Sequence, residues 1–103
     1  MIARIWRGRT RAAHAAEYVQ YVSKTGVTAH RGTPGNHGSM ILTRADGDHV
    51  EFLVVSLWES LDAVRAFAGE RPEVAVYYPE DEKFLLELEP EVRHYAVPVA
   101  SLP

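Results

Sequence analysis

At 103 residues the chain has the length of one domain, residues 1–103, and its 47% hydrophobic and 24% charged residues suit a globular protein with a single modest core. It has no cysteine, which excludes a disulfide framework, a thiolate metal site and a cysteine nucleophile. The net charge of −3, without a basic-aromatic stripe, argues against nucleic acid; no apolar run approaches the ~18 residues of a membrane span, and the charged start "MIARIWRGRT" does not read as a secretory leader, so a soluble cytoplasmic protein is expected.

In "MIARIWR" the residues alternate, Ile2, Arg4 and Trp6 on one face and Ala3, Ile5 and Arg7 on the other, which predicts a first strand with both faces partly covered. Thr10 is placed to cap a helix over "RAAHAAEYVQYVSKTG". There Ala12, Ala15, Tyr18, Val19 and Val22 recur at helical spacing, and Gly26 stands where a C-cap glycine is expected. The following "VTAHRGTPGNHGSM" is the most turn-rich part of the chain. "SMILTR" and "HVEFLVVSLW" read as two strands of a hairpin turning at Asp46-Gly47, the second strand apolar on both faces as a central strand would be. Ser60 caps "LDAVRAFAG", whose stripe is Leu61, Val64 and Phe67.

"RPEVAVYY" reads as a short helix with Pro72 in its first turn. Pro79 begins a further turn with Phe84, Leu85 and Leu88 on its apolar side, and "EVRHYAVPV" is the last strand. The order β-α-β-β-α-β predicts an α+β, ferredoxin-like split βαβ fold with an antiparallel sheet and helices on one face. The other face is too apolar to be left in water, so sheet-to-sheet pairing in a homodimer is expected.

Charge is unevenly spread. Thirteen of the fourteen acids lie in residues 44–91, while Arg4, Arg7, Arg9, Arg11, Lys24 and Arg31 face only Glu17 in residues 1–31. Such halves are solvated faces, dimer-forming surfaces, or arginines that meet an anionic ligand. Arg4, on an otherwise covered sheet face, either pairs with an acid or receives a ligand carboxylate or phenolate.

The strand order, the segment "LVVSLWESLDAVRAFAGE" and the terminal "HYAV" strand together resemble the antibiotic biosynthesis monooxygenase-like family of dimeric α+β barrel proteins. The resemblance implies a homodimer whose sheets form a barrel, with a pocket in each subunit between sheet and helices. Members include cofactor-free oxygenases of polycyclic phenols, quinol monooxygenases, haem-degrading enzymes and binding proteins, so the fold is better fixed than the reaction. In members acting on quinols or haem, a tryptophan matching Trp58 lies on the pocket wall; packing under the helix is the alternative. The haem-degrading members carry their iron-ligating histidine about where "VYY" falls, and this chain has no histidine between 49 and 94.

The expected activity is cofactor-independent oxygenation of a small aromatic or polyketide-like compound; the alternative is a non-catalytic protein binding such a ligand or haem. Arg4, Trp6, Tyr18, Trp58 and Phe67 are the candidate substrate-binding residues. Tyr77 and Tyr78 are candidate catalytic phenols, although neighbours on a helix cannot both face one wall. His14, four residues before Tyr18, and His37, beside the glycine-rich loop, are the candidate bases. No two histidines stand at metal-ligand spacing, so no metal is expected.

Overall fold

A computed structural model describes residues 1–103. Strands β1 (Ile2–Arg11), β2 (Asn36–Asp46), β3 (His49–Trp58) and β4 (Arg93–Ala96) form one antiparallel sheet in the order β2-β3-β1-β4. Helices α1 (Ala15–Lys24), α2 (Gly26–Arg31), α3 (Leu61–Ala68) and the single turn α4 (Asp81–Phe84) complete the ferredoxin-like α+β arrangement. No helix is long and apolar enough to cross a membrane.

The register sorts the sheet into two faces. Arg4 lies opposite Ser56 and His94, Trp6 opposite Val54, and Gly8 opposite Phe52, all on the helix side. Phe52, Val54, Ser56 and Trp58 are all buried there, and the alternate residues Leu53, Val55 and Leu57 are only half-buried. The core on the helix side is Tyr18 and Val22 from α1 against Phe52, Val54, Phe84 and Leu85. On the far side, Met40 is 50% and Leu42 43% exposed.

Three expectations are corrected. β1 runs on to Arg11, paired with His49, so Thr10 is not a helix cap; it is buried in the strand and its hydroxyl donates to the Arg11 carbonyl. The first helix does not end at Gly26. It breaks at Thr25, whose hydroxyl bonds back to the Tyr21 carbonyl at 2.8 Å, a contact that bends helices, and Gly26 opens α2 across part of the presumed loop.

The third correction concerns "RPEVAVYY", which is an irregular strap rather than a helix. Val92 N–H donates to the Glu73 carbonyl and Ala75 N–H to the Pro90 carbonyl, while Arg4 takes the Pro72 and Val74 carbonyls. These non-local bonds occupy groups a helix would need, and Val74, Val76, Tyr77 and Tyr78 are poor helix formers that give little resistance.

The charge asymmetry is met within the chain, because Arg7 pairs with Glu51 and Glu89 and Arg9 with Glu87. The hairpin at Asp46-Gly47 and the Ser60 cap, which accepts from Ala63 N–H at 3.2 Å, form as expected.

Gly35 connects α2 to β2 at φ +90°, and a Cβ there would stand 2.6 Å from the Ala63 Cβ. Gly35→Ala combines backbone strain with overpacking against α3 and is expected to lower stability by roughly 1–3 kcal/mol. Urea unfolding measures it, with Gly47→Asn, in open space at φ +60°, as the tolerated control.

Candidate functional site

A cavity lies between the helix-side face of the sheet and its cover. Its floor is Arg4 and Trp6 of β1 with Val54 and Ser56 of β3; its walls are Tyr18 and Val22 of α1, His30 of α2, Phe67 of α3 and the strap residues Val76, Tyr77 and Tyr78. The cavity opens to solvent, and its empty volume, counted out through the mouth, is about 510 Å3.

Arg4 is 4% exposed yet belongs to no ion pair. Its Nη1 donates to the Pro72 carbonyl and lies 3.1 Å from His94 Nε2; Nη2 donates to the Val74 carbonyl at 3.1 Å. A guanidinium has no acceptor, so His94 Nε2 accepts and His94 is neutral with its proton on Nδ1. The Phe67 ring lies 5.7 Å from the guanidinium carbon. Burial pulls the Arg4 pKa down to about 10, which leaves it cationic at neutral pH. Of the two alternatives the sequence left open for Arg4, pairing with an acid does not occur.

His30 is 5% exposed, its Nδ1 2.8 Å from Ser39 Oγ and its ring edge-on to Phe67 at 4.6 Å. Burial, then the Arg4 charge, push its pKa down to about 4, so it is a neutral imidazole at physiological pH. No buried side-chain nitrogen or oxygen lacks a partner. Arg4 Nε, His30 Nε2 and Tyr78 Oη make no hydrogen bond inside the protein, so each reaches accessible space, and the cavity is the space all three residues line.

The two tyrosines differ. Tyr77 Oη accepts from Trp6 Nε1 at 3.2 Å and donates to the Glu89 carbonyl, so its hydroxyl is occupied in holding the strap. Tyr78 packs over Gly26, and its phenol is open. Because the strap is not helical, both rings reach the cavity, against the expectation that only one would. Burial raises both phenol pKa values and keeps them protonated. Trp6 can lie along the strand because Gly8 has no side chain; a Cβ there would stand 2.3 Å from the indole.

Arg4, Trp6, Tyr18, Phe67, Tyr77 and Tyr78 therefore line one cavity, while Trp58, His14 and His37 do not. Trp58 is fully buried, donates to Ser56 Oγ at 2.8 Å and stacks behind Phe67 at 5.7 Å, where it supports the wall. His14 ends the 3-10 turn before α1 and is exposed, turned outward beside Phe84. His37 falls at the bulge between Asn36 and Gly38, which turns it to solvent. The histidine at the cavity is His30 instead.

Sequence reasoning missed His30 and Asp81, and a signal existed for each. Tyr18, Val22, Gly26 and His30 recur every four residues, so the α1 stripe runs into α2. Asp81 precedes Phe84 and Leu85 by three and four residues and shares their buried face. Asp81 Oδ1 accepts from Tyr18 Oη at 2.8 Å and Oδ2 from Tyr78 N–H at 2.6 Å, and its charge adds to burial in raising the Tyr18 phenol pKa.

No family model matches the sequence, and no curated protein matches it. Solved structures do match. A Bacillus cereus protein described as an antibiotic biosynthesis monooxygenase superposes with a TM-score of 0.66 at 13% identity, covering 99% of this chain and 97% of the other. The haem degrader MhuD from Mycobacterium tuberculosis, with two haems bound in its active site, gives 0.61 at 18% identity over 98% of this chain and 99% of MhuD. A substituted MhuD with two manganese protoporphyrin IX bound per active site gives 0.62 at 19% over the whole of both chains. The chain thus has the fold of the antibiotic biosynthesis monooxygenase-like proteins along its whole length.

Proposed function

We propose that the protein is a cofactor-independent monooxygenase that binds a small aromatic or polyketide-like substrate and ionises it in this cavity. The observation carrying this reading is Arg4, a buried cation without an acid, with an N–H open to the same cavity as the unpartnered Nε2 of His30. An ionised enol or phenol beside Arg4 supplies the missing counter-charge, and a neutral imidazole accepts the proton that the substrate gives up.

In the proposed reaction an enolisable ring CH2 loses a proton to His30, and the carbanion passes electrons to dioxygen. A carbon–oxygen bond forms to give a peroxide. His30 returns its proton to the outer peroxide oxygen. The carbon then loses its remaining hydrogen as a proton, and the C–H electron pair forms the carbonyl as the O–O bond breaks. The hydroxide released takes up that proton to leave as water. Carbon is oxidised by the four electrons that reduce dioxygen. Tyr78 is the remaining free donor and steadies the peroxide oxygen, while the apolar wall keeps bulk water from the carbanion.

The porphyrins bound by MhuD suggest a haem reading, which the donor set here disfavours. This chain has no histidine between residues 49 and 94, where the resemblance places the iron ligand, and the histidine at the cavity, His30, is held through Nδ1 at Ser39. A fused ring or two, reaching into the mouth, suits the site better.

The far face of the sheet supports the expected homodimer. Met40, Leu42, Leu53, Val55 and Leu57 form one half-exposed apolar surface, flanked along β1 by the Arg7 and Arg9 ion pairs. A second copy seated on it buries what water should not meet.

Oxygen uptake with anthrone- and naphthol-type substrates, read with quinone formation, tests the reaction. His30→Gln is expected to lower kcat about 10²–10⁴-fold and Arg4→Met about 10²–10³-fold. Tyr78→Phe should lower turnover, whereas Tyr77→Phe should chiefly lower stability. Saturable binding without oxygen uptake would leave a binding protein and end the enzymatic reading. Because His30 acts neutral, kcat/KM should fall only as pH drops through its pKa of about 4; an acid limb near 6.5 would instead implicate an exposed histidine. Sedimentation should give a dimer of the wild type and a folded monomer of Leu53→Glu.

A further inference from the structure

We infer that Asp81 is the second recognition group of this cavity, so that its ligand is a ring compound with an acidic oxygen at Arg4 and a hydrogen-bond donor, hydroxyl or amine, at the opposite end. The inference deepens the proposed reading of the cavity as an anion site and rests on it.

Two uncompensated charges of opposite sign line the one cavity. Asp81 is 5% exposed and, like Arg4, belongs to no ion pair. They are held at different places: Arg4 by β4 and the carbonyls of residues 72 and 74, Asp81 at the start of α4 by Tyr18 and the Tyr78 backbone. The cavity they share is otherwise lined mainly by apolar and aromatic residues, among them Val22, Val54, Phe67 and Val76. A buried charge without a partner is normally removed or neutralised, and these two face the same space without meeting.

Each Asp81 oxygen accepts one hydrogen bond in the protein. An ionised carboxylate offers about four lone-pair sites in all, so each oxygen retains acceptor capacity. Asp81 donates nothing, and the Tyr18 hydroxyl beside it is already given to Oδ1. This end of the cavity is therefore an acceptor, and only a donor on the ligand completes it. A methyl ether placed there would desolvate the carboxylate and return no hydrogen bond, a mismatch that sites built for a hydroxyl reject strongly.

Calorimetric titration of the wild-type protein at pH 7 tests this with stable carboxylates standing in for the ionised oxygen. The probes are 4-hydroxybenzoate and 6-hydroxy-2-naphthoate, each beside its methyl ether, so that two separations of acid and hydroxyl are tried. At least one hydroxy acid is expected to bind tenfold or more tighter than its ether, and Asp81→Asn to shrink that ratio below threefold. If Asp81→Asn does not fold, the wild-type ratio decides alone. Ethers that bind as tightly as the hydroxy acids, or no binding by any probe at millimolar concentration, would overturn the inference. The readout needs no turnover. Oxygen uptake without discrimination sinks the role of Asp81 and leaves the oxygenase, while discrimination without oxygen uptake does the reverse.

Discussion

A guanidinium kept inside the protein without a carboxylate sets the terms for the rest of this structure. Arg4 enters from the middle of β1, and its Nη groups reach two carbonyls of the strap and the imidazole of His94. Hydrogen bonds to a charged group are worth about 1.5–3 kcal/mol each. Removing a cation from water still costs several kcal/mol after relaxation. Carbonyl oxygens offset part of that and neutralise none of the charge. A hydrophobic residue of similar volume would cover the same wall, so packing alone gives no account of an arginine here.

The strap depends on that interaction as much as the charge depends on the strap. Residues 71–80 have no regular structure of their own and cross the cavity held by Arg4 at one end and by Asp81 at the other. Tyr77 anchors the middle, between Trp6 and the Glu89 carbonyl. The same few polar groups thus shape the cavity and give it its charges. Substitution at any of them alters lining and geometry together, which is why ligand discrimination tells more than loss of activity.

The architecture was legible because it rests on local rules. Alternation in "MIARIWR", the doubly apolar run in "HVEFLVVSLW", a hairpin glycine and a Ser60 cap each speak through nearest neighbours, and together they leave one antiparallel topology. The strap was not legible, since its conformation is decided by Arg4, nearly seventy residues away in sequence. The site was half legible. Arg4, Trp6, Tyr18 and Phe67 follow from which face of each element is buried. His37 depended on a bulge that no spacing announces, and His14 on where the helix starts. His30 was passed over because glycine and proline downstream made α2 look like loop, although a four-residue stripe ran through it from Tyr18.

The electrostatics of the empty cavity and of the proposed filled one differ in a way that bears on when His30 becomes a base. With nothing bound, burial and the Arg4 charge both oppose its protonation, so the imidazole neither takes a proton from water nor holds a charge that would repel a cationic neighbour. An enol or phenol bound against Arg4 changes both effects as it ionises. Its anion cancels the field of the guanidinium at His30, and the imidazolium it creates gains a partner of opposite sign in a medium of low dielectric. Basicity therefore rises only in step with the acidity of the bound substrate. In such a site the proton moves when a substrate acidic enough to ionise against Arg4 is present, and the carbanion forms where Arg4 already waits for it.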